Sequence, residues 1–404
     1  MKRLALIGST GSIGCQTLEI VRAHPDEFRV TVLAAGRRVA DLAAQALEFA
    51  PDLVALPDAA GQAAFCGLAN FPADRVVSGD DALARAVREA DADVVIVATP
   101  GSAGLRPTLA AIDRGLPVAL ANKEVLVTAG QIVLDALARR GTFLLPIDSE
   151  HSALWQCLRG ESTDGSLTDR AAAAPARADW VSRLILTASG GPFRDRPAAD
   201  LAGVSPAEAL AHPNWVMGPK VTIDSATLLN KGFEVIEAHW LFGVPYDVIE
   251  VIMHRESIVH SLVEFVDGST KAQLSVPDMR PAIQYALTYP DRAPNALTPR
   301  LDLAVLGALR FDPIPWEKFP CLSLAIEAGR RGGTYPAVLN AADEVAVESF
   351  LQGTIRLADI PSIIESALTA HRPSPADYES IVEADQWARQ QALTWIESFS
   401  SSPR

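Results

Sequence analysis

Cysteine is scarce in this chain: Cys15, Cys66, Cys157 and Cys321 are its only four, far apart and with no Cys-x-x-Cys pair. That excludes a disulfide framework and a thiolate zinc site, and it fits a reducing compartment. Long apolar runs are missing as well. The opening MKRLALIGSTG has the charge of a signal peptide, but its apolar stretch stops at Gly8, and nowhere do about 18 apolar residues follow one another. The expectation is a cytoplasmic protein, neither secreted nor membrane-spanning. Basic runs are absent too, and a formal charge of -14 would repel a phosphate backbone, which argues against a nucleic-acid partner. A small anionic ligand stays open, because a pocket needs only one or two placed cations and some backbone N–H groups.

What is present points to a folded protein of more than one domain. The 404 residues are 49% hydrophobic and 21% charged, with 28 prolines spread along the chain, and a length of this order suggests two or three domains. Short apolar runs alternate with helical patterns from LALIG through RVTVLAA, DLVAL, DVVIVATPG and PVALA to TFLLPI. That rhythm predicts an α/β fold with an N-terminal Rossmann-like, doubly wound parallel sheet. Residues 161–179 read as a surface excursion. VSRLILTASGGPF then reads as a strand running into a glycine turn, and VIEVIMHRESIVHSLVEFVDGSTKAQLSV as strands and a helix of a central α+β catalytic domain. YPDRAPNALTPRLDL is the best linker candidate, and the periodic stretches after it predict a C-terminal helical bundle. The expected boundaries are 1–149, 150–288 with a lid loop near 209–220, a linker at 289–313, and 314–404.

Several stretches carry chemistry. In LIGSTGSIG, Gly8, Gly11 and Gly14 stand between a strand and a helix, where glycine lets the backbone approach a pyrophosphate at the helix N-terminus, although such turns are also ordinary structure. Arg37 and Arg38 follow the second strand, where an NAD enzyme usually offers an acid. They favour NADP, or else are two solvated arginines at a helix start. Asp148 and Glu150 follow an apolar strand and, on extended backbone, would point the same way. Paired carboxylates suit a hard cation such as Mg²⁺ or Mn²⁺. The alternative is that Asp148 or Ser149 merely caps the following helix. Asn230, Lys231 and Glu234 lie on or near one helix face, which by itself is a common Lys-Glu pairing. HPNWVMGPK has the look of an exposed lid loop, with Trp215 either part of the lid or its anchor.

Taken together, GSTGSIG, ANKE, DSEHSA, TASGGPF, HPNWVMGPKVTIDSATLLNKGFEVIEAHWLF and PDMRPAIQYAL closely resemble the 1-deoxy-D-xylulose 5-phosphate reductoisomerases, in order along essentially the whole chain. The resemblance implies a homodimeric enzyme that converts 1-deoxy-D-xylulose 5-phosphate to 2-C-methyl-D-erythritol 4-phosphate on the non-mevalonate route. It would use NADPH and a divalent metal (Mg²⁺, Mn²⁺ or Co²⁺). By the same resemblance the metal ligands are Asp148, Glu150 and Glu234. Lys123 and Ser149 contact the substrate backbone or its reacting end. Ser189, Ser225, Asn230 and Lys231 hold its phosphate, with His212 close by and Trp215 and Met217 on the closing loop. His151 and His260 match histidines important to activity. NADPH would lie on Gly8, Thr10, Gly11, Ser12, Ile13 and Gly14, then on Gly36, Arg37 and Arg38, with Asn122, Glu124 and Met279 completing its site. Three stretches depart from the family pattern: a longer 162–179 excursion, PDMRPAI for P-D-M-R-L-P-I, and NAADEV for N-A-A-N-E-V.

Two other readings use the same features. A semialdehyde dehydrogenase would need a reactive thiol, for which Cys157 is the candidate, yet Cys157 sits in an apolar helical pattern with no basic partner. A non-catalytic NADP sensor would bind the nucleotide without metal-dependent turnover.

Overall fold

The computed structural model describes residues 1–161 and 180–400, so the excursion from residue 162 to 179 lies outside the described residues. The chain divides into two compact units: the described residues of Met1–Val125, Val133–Ala174 and Asp278–Arg300, and those of Leu126–Ile132, Pro175–Pro277 and Leu301–Arg404. This division cuts across the chain-order boundaries expected at 149/150 and 288/289.

In the first unit β1 (Lys2–Ile7), α1 (Ser12–Ala23), β2 (Phe28–Ala34), α2 (Val39–Phe49), β3 (Leu53–Leu56), α3 (Ala59–Ala69) and β4 (Val76–Ser78) follow in turn. After them come α4 (Ala82–Glu89), β5 (Val94–Val97), α5 (Leu105–Asp113), β6 (Val118–Leu120), α6 (Glu124–Arg140), β7 (Leu144–Pro146) and α7 (Ser149–Leu158). All seven strands are parallel, in the order β4-β3-β2-β1-β5-β6-β7. Their residues are almost wholly buried, as a sheet covered on both faces requires, which is why VVIV shows no alternation of polar and apolar residues. The strand order reverses between β1 and β5, and ligands of such sheets bind beyond the strand ends at that point. Ala129 interrupts α6 with φ -136° and ψ 25°. The residues around that break, 126–132, belong to the second unit, where a Cβ on Gly130 would meet the Trp240 indole at 2.4 Å.

The second unit contains β8 (Val181–Ala188), α8 (Pro206–Ala209), α9 (Pro219–Thr227), α10 (Leu229–Phe242), β9 (Ile249–His254), β10 (Val259–Phe265) and β11 (Thr270–Leu274). Next in the chain, α11 (Arg280–Thr288) belongs to the first unit, where Trp155 of α7 packs on Tyr285 and Tyr289 at 4.6 and 4.8 Å. The second unit resumes with α12 (Leu303–Leu306), β12 (Phe311–Pro313), α13 (Pro320–Arg331), α14 (Tyr335–Leu351), α15 (Ile360–Ala370) and α16 (Tyr378–Ser400). Its five strands form a mixed sheet in the order β11-β10-β8-β9-β12, with α10 on the sheet and α13 to α16 bundled beyond it. The stretch 249–274, expected to include a helix, is three strands. Its alternating burial, with Ile249, Val251 and Met253 of β9 buried and Glu250 and Ile252 between them half-buried, shows a period of two that the apolar density of the sequence obscured.

Candidate active site

In the first unit the β1–α1 turn is built by close packing. Gly8 has φ +98°, and a Cβ there would lie 2.6 Å from the Ala98 carbonyl at the end of β5, while a Cβ on Gly14 would lie 2.3 Å from the Gly8 carbonyl oxygen. Both glycines are therefore required by the backbone itself, before any ligand is considered. No side chain caps α1, which leaves its first-turn N–H groups, beginning at Ser12 and Ile13, suited to a phosphate. Thr10 is buried in the same turn. Gly36, Arg37 and Arg38 are exposed just past β2, with Arg38 at the N-cap of α2 and 3.7 Å from Asp41. Asn122 is committed to the fold: its amide donates to the carbonyls of Thr99 and Gly101, the latter at 2.8 Å, and its oxygen accepts from Val125 N–H at 3.0 Å. It ties the loop after β6 to the loop after β5. Glu124 is buried in the first turn of α6. Met279 is the N-cap residue of α11, a helix that Arg280 joins to Glu19 of α1 at 3.2 Å.

The same unit gathers a charged cluster beyond β7. Lys123 Nζ lies 2.5 Å from Asp148 Oδ2, both nearly buried, and the fully buried His151 has Nδ1 3.8 Å from the same oxygen. Asp148 is the N-cap of α7, its Oδ1 accepting from Ser149 N–H at 3.0 Å, and Ser149 Oγ donates to Glu150 Oε2 at 2.5 Å. The expected side-by-side projection of Asp148 and Glu150 from extended backbone is thus corrected: β7 ends at Pro146, and Glu150 already sits in the first helical turn. Capping and metal binding are not rivals here, because the cap uses one oxygen of Asp148.

In the second unit a neutral-donor site forms around the turn after β8. Gly191, at φ +65°, lets that turn lie against the end of α9, since a Cβ there would be 2.6 Å from the Ser225 carbonyl oxygen. The turn that begins at Ser189 therefore meets the end of α9 that carries Ser225. Ser189 Oγ receives Gly191 N–H at 3.1 Å and lies 3.0 Å from His212 Nε2. His212 Nδ1 accepts from Asn214 N–H (3.1 Å) and Trp215 N–H (2.9 Å), so the ring is neutral with its proton on Nε2, donating to Ser189. Burial, helped by the Arg194 cation, holds His212 at about 4. With both lone pairs of Ser189 Oγ occupied, its O–H is directed at a further acceptor.

The chain then crosses from α9 to α10 through Leu228 in the left-handed conformation, φ +58°. Asn230 donates to Glu234 Oε1 at 2.5 Å, and the Lys231 ammonium pairs with Glu234 Oε2, both groups buried. Residues 211–218 have no regular structure; Asn214 anchors their base to Arg255 and Ser257 at 2.7 Å, while Val216 is 97% exposed. Trp215 leans on His260 at 6.1 Å between ring centroids, Met217 is half-buried, and buried His260 bonds Ser275 Oγ at 2.8 Å.

Three family models match: 1-deoxy-D-xylulose 5-phosphate reductoisomerase over residues 4–130, its C-terminal domain over 144–242, and a further DXP reductoisomerase C-terminal domain over 274–391. The reductoisomerase of Geobacillus kaustophilus is 52% identical over 392 residues, covering 96% of this chain and 98% of its own. The chain belongs to the 1-deoxy-D-xylulose 5-phosphate reductoisomerase family. A reductoisomerase crystal structure in complex with NADPH, fosmidomycin and magnesium has a TM-score of 0.93 at 38% identity, with full coverage of both chains. The Zymomonas mobilis enzyme in complex with NADPH has a TM-score of 0.88 at 39% identity, covering 98% of this chain and 99% of its own.

Within this reductoisomerase fold, Cys157, the thiol that a semialdehyde dehydrogenase would need, is buried on α7. Reading the sequence missed Arg194, whose guanidinium bonds the carbonyls of Ser189 (3.1 Å) and Arg255 (3.0 Å) and places a cation near His212. The only signal for it was its position two residues after the GGP turn. Asp224 and Asp343, both buried, were given no role, although Asp343 is the residue at which NAADEV departs from N-A-A-N-E-V.

Proposed function

We propose that this protein converts 1-deoxy-D-xylulose 5-phosphate to 2-C-methyl-D-erythritol 4-phosphate by NADPH- and metal-dependent rearrangement and reduction, in isoprenoid precursor synthesis. The observation that carries this is the match of nearly the whole chain to reductoisomerases, one of them solved with NADPH and magnesium.

Asp148 and Glu150 of the first unit and Glu234 of the second are assigned to one divalent ion. Their chemistry fits: the donors are all carboxylate oxygens, and Asp148 and Glu234 are each paired with a lysine ammonium that stabilises the ionised form. When bound, the ion polarises the substrate ketone and a neighbouring hydroxyl as a Lewis acid, and NADPH supplies hydride to the rearranged aldehyde. Lys123, 2.5 Å from Asp148, orients that carboxylate and adds positive charge where the substrate oxygen becomes negative. His151 and His260 border the site. Ser189, Ser225, Asn230 and Lys231 hold the phosphate with one cation and several neutral donors, and the neutral His212 directs the Ser189 hydroxyl to it. The loop bearing Trp215 and Met217 closes over the substrate and excludes water. The β1–α1 turn, Gly36 to Arg38, Asn122, Glu124 and Met279 form the NADPH site, with 1–149 as the cofactor domain, 150–288 for catalysis and pairing, and 314–404 as the helical domain. The protein works as a cytoplasmic homodimer. None of the described helices is long and apolar enough to cross a membrane.

NADPH oxidation with 1-deoxy-D-xylulose 5-phosphate, measured with Mg²⁺ or Mn²⁺, after chelation and after metal re-addition, tests the reaction. Turnover should vanish with the metal and return with it. Glu234→Gln should remove most turnover while leaving NADPH affinity nearly unchanged; equal loss of both would sink its assignment to the metal. Light scattering in solution reads the dimer.

A further inference from the structure

A buried three-charge cluster lies behind the phosphate-binding end of the second unit. Lys220, in the first turn of α9, has its Nζ 2.7 Å from Asp224 Oδ2 and 2.8 Å from Asp343 Oδ2 of α14. The Asp224 side chain is 2% exposed and that of Asp343 is fully buried, and the two carboxyl groups converge on the one Lys220 ammonium. Around Asp343, α13 contributes the buried Cys321 thiol, and α14 itself contributes Glu344, which pairs with Arg389 of α16 at 2.5 Å. The buried residues of α15, which packs on α14, are apolar, Ile363, Ile364 and Ala367 among them, and its Glu365 is exposed. Lys220 also sits 4.7 Å above the Phe233 ring of α10.

Two carboxylates around one ammonium leave an excess negative charge on two side chains almost wholly removed from solvent, and that charge is removed at least cost by one proton held between the carboxyl groups. Burial accordingly raises the Asp343 carboxyl above its ordinary range. Lys220 stands two residues after Gly218, where the lid loop ends, and five before Ser225. The cluster therefore fixes both ends of the short helix that joins lid to phosphate site.

We propose that Asp343 is a positioning residue for this enzyme: sharing one proton with Asp224 and gripping Lys220, it pins α9 to α14 and so sets where Ser225 and the base of the lid stand. Its kinetic part rests on the reductoisomerase function proposed above; its protonation part does not.

Asp343→Asn keeps a neutral group that can donate to Asp224 and accept from Lys220, whereas Asp343→Ala removes both bonds. In steady-state assays at pH 7.5, Asp343→Ala should raise the KM for 1-deoxy-D-xylulose 5-phosphate by about tenfold and leave the KM for NADPH within about twofold, with Asp343→Asn close to the parent. Thermal melting of the parent and Asp343→Asn from about pH 5 to pH 9 reads the shared proton without any turnover. A carboxyl raised in the folded state stabilises fully below its unfolded value near 4 and loses that contribution as pH rises through its folded value. The parent's melting temperature should therefore fall relative to Asp343→Asn as pH rises. A pH-independent difference overturns the shared proton. A folded Asp343→Ala with parental substrate KM, or one that weakens NADPH equally, overturns the positioning role. If Asp343→Ala does not fold, Asp343→Leu takes its place in the same assay. Absence of turnover in the parent would defeat the function proposed above and leave the melting comparison to decide the proton.

Discussion

Substituting His212 separates its two ring nitrogens, which have different tasks. Asn places an oxygen near the position of Nδ1, preserving the acceptor for Asn214 and Trp215 N–H at 3.1 and 2.9 Å, but it cannot reach Ser189 Oγ, 3.0 Å from Nε2. Gln does the reverse. A neutral hydrogen bond contributes about 1 kcal/mol net, so His212→Asn should raise the substrate KM by about fivefold through one lost bond. His212→Gln loses two, about 2 kcal/mol or about thirtyfold, and releases the base of the lid. Acid should act on the parent in the same direction. A proton on Nδ1 would face two N–H donors, which agrees with a value of about 4 in place of 6.5. Because the folded value is depressed, the contribution is present above 6.5 and is lost as pH falls through about 4, and the interval corresponds to at most about 3 kcal/mol. Steady-state kinetics from about pH 4 to pH 8, with NADPH affinity measured separately by fluorescence, would read all of this. If His212→Asn were the more damaging variant, or if the imidazole titrated near 6.5 by NMR, the tautomer deduced from the loop would be wrong.

Arg37→Ala combined with Arg38→Ala should weaken NADPH by about tenfold or more and hardly change NADH, since charged hydrogen bonds contribute about 1.5 to 3 kcal/mol and only NADPH carries the 2'-phosphate. An unchanged preference in cofactor titrations would place phosphate recognition elsewhere. Gly14→Ala should lose NADPH binding and melt earlier by scanning calorimetry, because its Cβ would sit 2.3 Å from a backbone oxygen that no side-chain rotation can clear. Parental melting and binding would mean that the β1–α1 turn tolerates being opened.

Much of the fold was legible because apolar periodicity is local. The alternation from LALIG to TFLLPI marks β1, β2, β3, β5, β6 and β7 where the sheet has them. The stretch between β3 and β5 read as irregular because β4 is only three residues long and α3 is rich in alanine, which leaves little contrast between its faces. The break in α6 was invisible for a different reason: Ala129 leaves helical geometry next to Gly130, whose missing Cβ leaves room for Trp240, more than a hundred residues away. At the candidate site, residue types were readable and bonds were not. DSEHSA announced two carboxylates, but only the folded turn shows that Asp148 caps α7 and meets Lys123.

By itself the sequence determined the class of fold, the nucleotide turn and the chemical inventory of oxygen donors, lysines and serines, since these depend on spacing within one element or on residue identity. The tertiary structure decided what each of those groups is bonded to. It returned residues 278–300 to the first unit, laid the turn after Ser189 against Ser225 through a left-handed glycine, and set the His212 tautomer through two backbone N–H groups. It also buried Asp343 beside Asp224 and Lys220. Protonation states and hydrogen-bond partners are properties of surroundings assembled from distant parts of the chain, so local pattern carries no information about them.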